Sequence, residues 1–84
     1  MSGGYFNYDQ YRINDIADQI ERFVANNDRY EFPDSVLIQF REALYYLKMA
    51  SIYTQRIDWF LCGDDSIESF LGRLKEDVER VVNK

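Results

Sequence analysis

The chain has 84 residues, of which 46% are apolar and 17% aromatic, and its formal net charge is −5. This size predicts a single domain over residues 1–84, and the acidic balance disfavours direct binding to nucleic acid or to an anionic membrane surface. Histidine is absent and cysteine occurs once, which removes the commonest general base and rules out a disulfide framework. We therefore expect a protein that is not an enzyme and that carries no cofactor and no metal.

The first predicted helix covers residues 8–26. Asn7 or Asp9 is expected to cap its N-terminus. Residues 1–7 are expected to be flexible at their start and then docked on the body, because Tyr5 and Phe6 are too apolar for a solvated tail. The apolar positions of the helix recur at gaps of three and four residues, as on an amphipathic helix, and they are Ile13, Ile16, Ile20, Phe23 and Val24.

The second predicted helix is the longest and covers residues 33–62. Proline at position 33 suits a helix start, and Gly63 suits the position just past a helix end. Three- and four-residue steps along it form one seam, namely Val36, Phe40, Ala43, Leu47, Ala50, Thr54, Ile57 and Leu61. Other large apolar side chains surround the second half of this helix. Two neighbouring helices cannot cover all of them, so we expect an uncovered sector that serves as an interface.

The third predicted helix covers residues 65–82, with Asp65 as its N-cap and Glu68 three residues later as in a capping box. Its apolar residues again recur at gaps of three and four. No segment alternates as a strand would. The sequence thus predicts an all-α fold, a three-helix bundle with a long central helix.

The segment from Arg56 to Phe70 raises the question of a metal site at Asp58, Asp64, Asp65 and Glu68. A calcium loop places its glycine between the ligands, whereas Gly63 here precedes the aspartates, so we interpret the segment as a joint between helices. Asp58 is expected to be solvated or ion-paired, and Trp59 to be buried at the turn. The expected partner-binding residues are Tyr45, Tyr46, Met49, Tyr53, Asp58 and Trp59.

A pattern of identities runs through the C-terminal half, formed by Tyr53, Gln55, Arg56, Ile57, Asp58, Trp59, Gly63, Asp64, Asp65, Glu68, Ser69, Phe70, Arg73 and Leu74. It resembles a signature of small accessory proteins of tailed bacteriophages, (Y)xQR[I/V]DWLxSGDDxExSFxxRL, from which Phe60 and Cys62 depart mildly. The segment from Asn27 to Asp34 is also similar to their middle region. The resemblance implies a phage-encoded accessory protein that acts inside the infected cell, and it implies no catalytic activity.

Two functions follow as expectations. The first is a protein-binding module that docks an aromatic-rich helical face onto a host protein or onto itself as a homodimer, for instance to inhibit a host defence or nucleic-acid enzyme. The second is an acidic nucleic-acid mimic that blocks a DNA-binding host enzyme. The start MSGGYFNYDQ has neither a basic region nor an apolar core, so we expect a cytoplasmic location.

Overall fold

The computed structural model describes residues 4–83. It contains α1 (Tyr11–Ala25), the short α2 (Asn27–Tyr30), α3 (Asp34–Leu61) and α4 (Ile67–Val82), and residues 4–83 include no strand. The predicted all-α fold with a long central helix is confirmed. The predicted flexible start falls largely on residues 1–3, which lie outside the described residues.

The chain enters α1 through a turn rather than through a capping side chain. Residues 4–10 form this turn, in which Asn7 and Tyr8 have positive φ angles of 55° and 65°. The N-cap of α1 is Gln10, and no side chain there accepts a hydrogen bond from the helix. The predicted cap at Asn7 or Asp9 is therefore wrong. Because the turn occupies these positions, α1 starts three residues later than the periodicity suggested.

The connector between α1 and α3 is closed by one asparagine. The Asn27 side chain accepts a hydrogen bond from the Phe32 N–H at 2.8 Å and donates one to the Phe32 carbonyl at 3.2 Å. Glu31, between them, has a left-handed φ of 56°. The Phe32 ring then packs between the rings of Tyr30 and Phe40, at centroid distances of 5.5 and 5.6 Å. These contacts turn the chain back so that α3 runs antiparallel to α1.

The joint between α3 and α4 is a Schellman motif followed by a serine cap. The Asp64 N–H donates to the Trp59 carbonyl and the Gly63 N–H to the Phe60 carbonyl, both at 3.0 Å, which is the pattern of this motif. The helix-ending role predicted for Gly63 is confirmed by its φ of 86°. The predicted cap at Asp65 is wrong, because the Ser66 hydroxyl accepts the hydrogen bond of the Ser69 N–H instead.

Two glycines allow a matched test of the joint. Gly63→Ala should lower the free energy of unfolding by about 1 kcal/mol, because an L-residue is strained at positive φ. Gly72→Ala, inside α4, should raise it by about 0.5–1 kcal/mol through better helix propensity. An added Cβ meets nothing within 4 Å at either position. Urea denaturation of both variants measures the difference, and equal effects of the two substitutions would contradict this account of the joint.

The helices lie side by side in one layer. The Gln10 amide donates to Gln55 Oε1 at 3.2 Å and the Ser51 hydroxyl to Asn14 Oδ1 at 2.9 Å, which places α1 antiparallel to α3. On the other side of α3, Arg56 pairs with Asp77 of α4, and the rings of α3 and α4 stack further along, at Phe60 and Phe70. No residue of α1 contacts α4.

The dimensions of the molecule follow from this arrangement. The described chain measures 47 × 29 × 13 Å along its principal axes, so it is less than half as thick as it is wide. Among the described apolar residues only Ala17 and Leu37 are buried. A layer of this thickness leaves both broad sides of α3 accessible.

Candidate functional site

One broad side of the layer is apolar on all three long helices, and we call it the apolar face. On α1 it is formed by Ile16, Ile20 and Phe23. On α4 it is formed by Leu71, Val78 and Val82. Between them runs a stripe of α3, defined here as the α3 stripe, whose members are Ala43, Tyr46, Ala50, Tyr53 and Ile57.

Helical geometry places these three groups on the same side. At about 100° per residue, the α1 group lies about a quarter turn from Ala17, which faces α3. The α3 stripe lies about a third of a turn from Ser51, which bonds to α1. Leu71 and Val82 lie about a third of a turn from Phe70, whose ring stacks on Phe60 of α3. Because each neighbouring pair of helices is antiparallel, the rotations from the contact residues to the three apolar groups all lead to the same broad side of the layer.

The apolar face is open to solvent along its length. The exposed fraction is 64% for Tyr46, 57% for Leu71 and 50% for Ile16. Side chains of this kind at one location exceed the scattered surface hydrophobics that any protein carries. The prediction that the two neighbours of the central helix cannot cover its apolar circumference is confirmed.

The opposite broad side combines cations with apolar side chains. Arg41, Lys48 and Arg80 line a groove of about 590 Å³ together with Leu44, Tyr45 and Val81. Further along α3, the Arg56 guanidinium lies 5.0 Å from the centroid of the Trp59 ring, a cation–π distance. The two broad sides of the layer therefore differ in charge.

The predicted partner-binding residues are not brought together as one surface. Tyr46 and Tyr53 belong to the apolar face, whereas Tyr45 lines the groove, with its ring in edge-to-face contact with that of Tyr46 at a centroid distance of 5.7 Å. Met49 is half-buried. Trp59 is 39% exposed, so its predicted burial at the turn is wrong.

Asp58 has a structural environment that the sequence did not indicate. It is only 5% exposed, and its Oδ1 accepts hydrogen bonds from the backbone N–H groups of Tyr5 and Phe6 at 2.7 and 3.0 Å. The expectation of a solvated or ion-paired side chain is therefore wrong. The carboxylate instead holds the N-terminal turn against α3, because charge-assisted hydrogen bonds to backbone amides are strong.

The residues that sequence reasoning missed lie on the outer helices. Ile16 and Phe23 of α1, and Leu71 and Val82 of α4, recur at the spacing of an amphipathic helix. The spacing shows that they share a face, and it contains no signal of whether a neighbour covers that face.

The acidic residues at the joint between α3 and α4 make separate structural contacts. Asp65 pairs with Arg73 at 3.5 Å, and Asp58 holds the N-terminal turn. Within residues 4–83, no three acidic or cysteine side chains cluster as metal ligands would. The hydrogen bond from Arg56 to Asp77 raises the pKa of the Arg56 guanidinium.

Comparison with protein-family models, with curated proteins and with solved structures finds no match to this chain. In the described part of the chain, no helix has the length and apolar character that crossing a membrane requires.

Proposed function

We propose that this chain is a non-enzymatic protein-binding module that associates with its partner through the apolar face. The observation that carries the proposal is the set of exposed apolar side chains, on all three long helices, along one broad side of a flat layer. Tyrosine supplies much of the central part of this surface, and aromatic side chains are frequent energetic anchors of protein interfaces.

The resemblance to tailed-bacteriophage accessory proteins supports a setting for this binding. In that setting the chain acts in the cytoplasm of the infected cell, and its partner is a host protein, such as a defence or nucleic-acid enzyme, or a second copy of itself. Inhibition of the host protein would follow if the apolar face covered a surface that the host protein needs.

An acidic nucleic-acid mimic is the second candidate, and the net charge of −5 favours it. Such a mimic needs a row of carboxylates that resembles the regularly spaced phosphates of DNA. Basic side chains interrupt the acidic ones here: Arg12 lies 3.9 Å from Asp9, and Arg80 lies 3.7 Å from Asp77. We therefore rank this function below protein binding.

Two adjacent tyrosines provide a matched test of the proposed function. Tyr46→Ala should weaken association by at least about tenfold, because Tyr46 lies on the apolar face at an anchor position. Tyr45→Ala should weaken it less than Tyr46→Ala does, because Tyr45 lines the groove and reaches the apolar face only through the edge-to-face contact of its ring with Tyr46. Light scattering measures self-association, and immobilised variants measure binding to host proteins. Circular dichroism checks that both variants keep their helicity.

The proposal would be contradicted by a wild-type chain that stays monomeric and binds no other protein. It would also be contradicted if Tyr45→Ala and Tyr46→Ala weakened association equally. In that case the groove at Tyr45 would take part in binding as much as the apolar face.

A further inference from the structure

The surface area of the chain is larger than its mass predicts. Its accessible surface is 6356 Å², whereas a compact monomer of 10.1 kDa is expected to expose about 5,300 Å². The difference of about 1,000 Å² is comparable with the roughly 800 Å² that each partner buries in a standard interface. The layer therefore carries the excess surface that one side of a stable interface would remove from water.

The fold also lacks a second layer of helices that would cover its apolar side. Helical domains are normally built from two packed layers that enclose a core between them, and this chain provides one layer with an apolar side. A second layer of the same shape, packed at the usual interaxial distance of about 8–10 Å, would enclose the apolar face. It would also turn the exposed side chains of all three long helices into a core.

The spacing of the α3 stripe suits a contact between two copies. In a two-fold contact, if residue i touches residue j, then j touches i. Tyr46 precedes Ala50 by four residues and Tyr53 follows it by three, while Ala43 and Ile57 lie seven residues to either side. A two-fold axis at Ala50 would therefore bring the two alanines together and place Tyr46 of one copy near Tyr53 of the other.

Charge does not oppose this pairing at its centre. The five members of the α3 stripe are uncharged, and the cations Arg41, Lys48 and Arg80 lie in the groove on the opposite side. Two copies that each carry a net charge of −5 can therefore meet without placing like charges against each other along α3. The two net negative charges repel each other through charged groups that are farther apart and solvated, and salt screens this repulsion.

We propose that the apolar face is covered by a second copy of this chain, in a two-fold dimer whose two α3 helices are antiparallel and cross at Ala50. This inference rests on the proposed function and names its partner. Ala50 then meets its own counterpart, where its small side chain allows close approach of the two helices. Tyr46 of each copy meets Tyr53 of the other.

Cysteine cross-linking tests the crossing point in a Cys62→Ser background. Ala50→Cys should form a disulfide-linked dimer on oxidation, because helices about 8–10 Å apart bring facing Cα atoms within disulfide range. Ala43→Cys should not, because the two copies of residue 43 would lie about 20 Å apart along antiparallel helices. Lys48→Cys, on the opposite side, is the control and should stay monomeric.

Light scattering tests the dimer itself. The wild-type chain should have twice the mass of 10.1 kDa, and Ala50→Glu should have the monomer mass, because it places two carboxylates at the crossing point. Lys48→Glu should remain a dimer. Circular dichroism verifies that the variants are helical, and the cross-linking result stands even where Ala50→Glu does not fold.

The outcomes separate this inference from the proposed function. Cross-linking of both Ala50→Cys and Ala43→Cys would overturn the antiparallel arrangement. A monomeric wild-type chain would overturn the dimer. If that monomer bound a different protein, and Tyr46→Ala abolished the binding, the proposed function would stand while this inference failed. If it bound nothing, both would fail.

Discussion

Asp58→Ala should lower the free energy of unfolding by about 2 kcal/mol and should release the N-terminal turn from α3. The carboxylate is the only side chain among the described residues that accepts hydrogen bonds from the N–H groups of Tyr5 and Phe6. A hydrogen bond to a charged group contributes roughly 1.5–3 kcal/mol. Part of this is recovered, because the released amides can bond to water. Urea denaturation measures the loss.

Hydrogen exchange tests the local part of this prediction. The amides of Tyr5 and Phe6 should exchange faster in Asp58→Ala, whereas the amides in the middle of α3 should keep their relative protection. Asp64→Ala is the matched control, because Asp64 is exposed, and it should cost less than about 0.5 kcal/mol. Unchanged exchange at Tyr5 and Phe6 would show that the carboxylate does not hold the turn.

Substitution of Gly4 should release the N-terminal turn by a different mechanism. A Cβ at this position would lie 3.0 Å from each carboxylate oxygen of Asp58, and its φ is 64°. Gly4→Ala should therefore also release the turn, through a clash and backbone strain rather than through a lost acceptor. Because both substitutions act on one contact, the double variant should be little less stable than either single variant.

The ion pair between α3 and α4 should give the second large effect. Arg56 Nε donates to Asp77 Oδ2 at 2.6 Å, and the two side chains are only 16% and 20% exposed. Asp77→Leu alone should lower the free energy of unfolding by about 2 kcal/mol, because it leaves the guanidinium largely enclosed and without its carboxylate. The double variant Arg56→Met/Asp77→Leu should recover most of this loss, because it removes both charges.

A double-mutant cycle in urea provides the measurement, with the exposed Glu76→Leu as the control for the nearby loss of one negative charge. If the effects of the two single substitutions simply added, the pair would contribute no coupling energy.

Changes of pH are not expected to alter the contribution of Arg56 to stability in the neutral range. Its raised pKa means that the contribution is fully present below the usual guanidinium pKa and is lost only as pH rises through the higher folded-state value.

The helices themselves could be predicted from local sequence signals. Pro33 lies one residue before the observed start of α3 at Asp34, and Gly63 lies two residues after its end at Leu61, because proline fixes φ and glycine tolerates a positive φ. The N-cap of α4 lies one residue later than predicted. Asp65 and Ser66 are both good capping residues, and only the local geometry selects between them.

The relative positions of the helices could not be predicted in the same way. The apolar spacing of α1 and α4 fits a closed bundle as well as a flat layer, because it records which residues share a face and not what lies opposite. The burial of Asp58 could not be predicted from the sequence pattern either. Its partners are backbone N–H groups more than fifty residues away, and the sequence does not indicate which backbone amides a carboxylate will bind.

The absence of contact between α1 and α4 has a consequence for folding cooperativity. The chain consists of two antiparallel hairpins that share α3, so the energetic coupling between the outer helices passes entirely through that one element. Detachment of α4 would leave every α1–α3 contact intact, and the reverse also holds. An isolated protomer should therefore melt in steps. Pairing with a second protomer would link the steps into one transition.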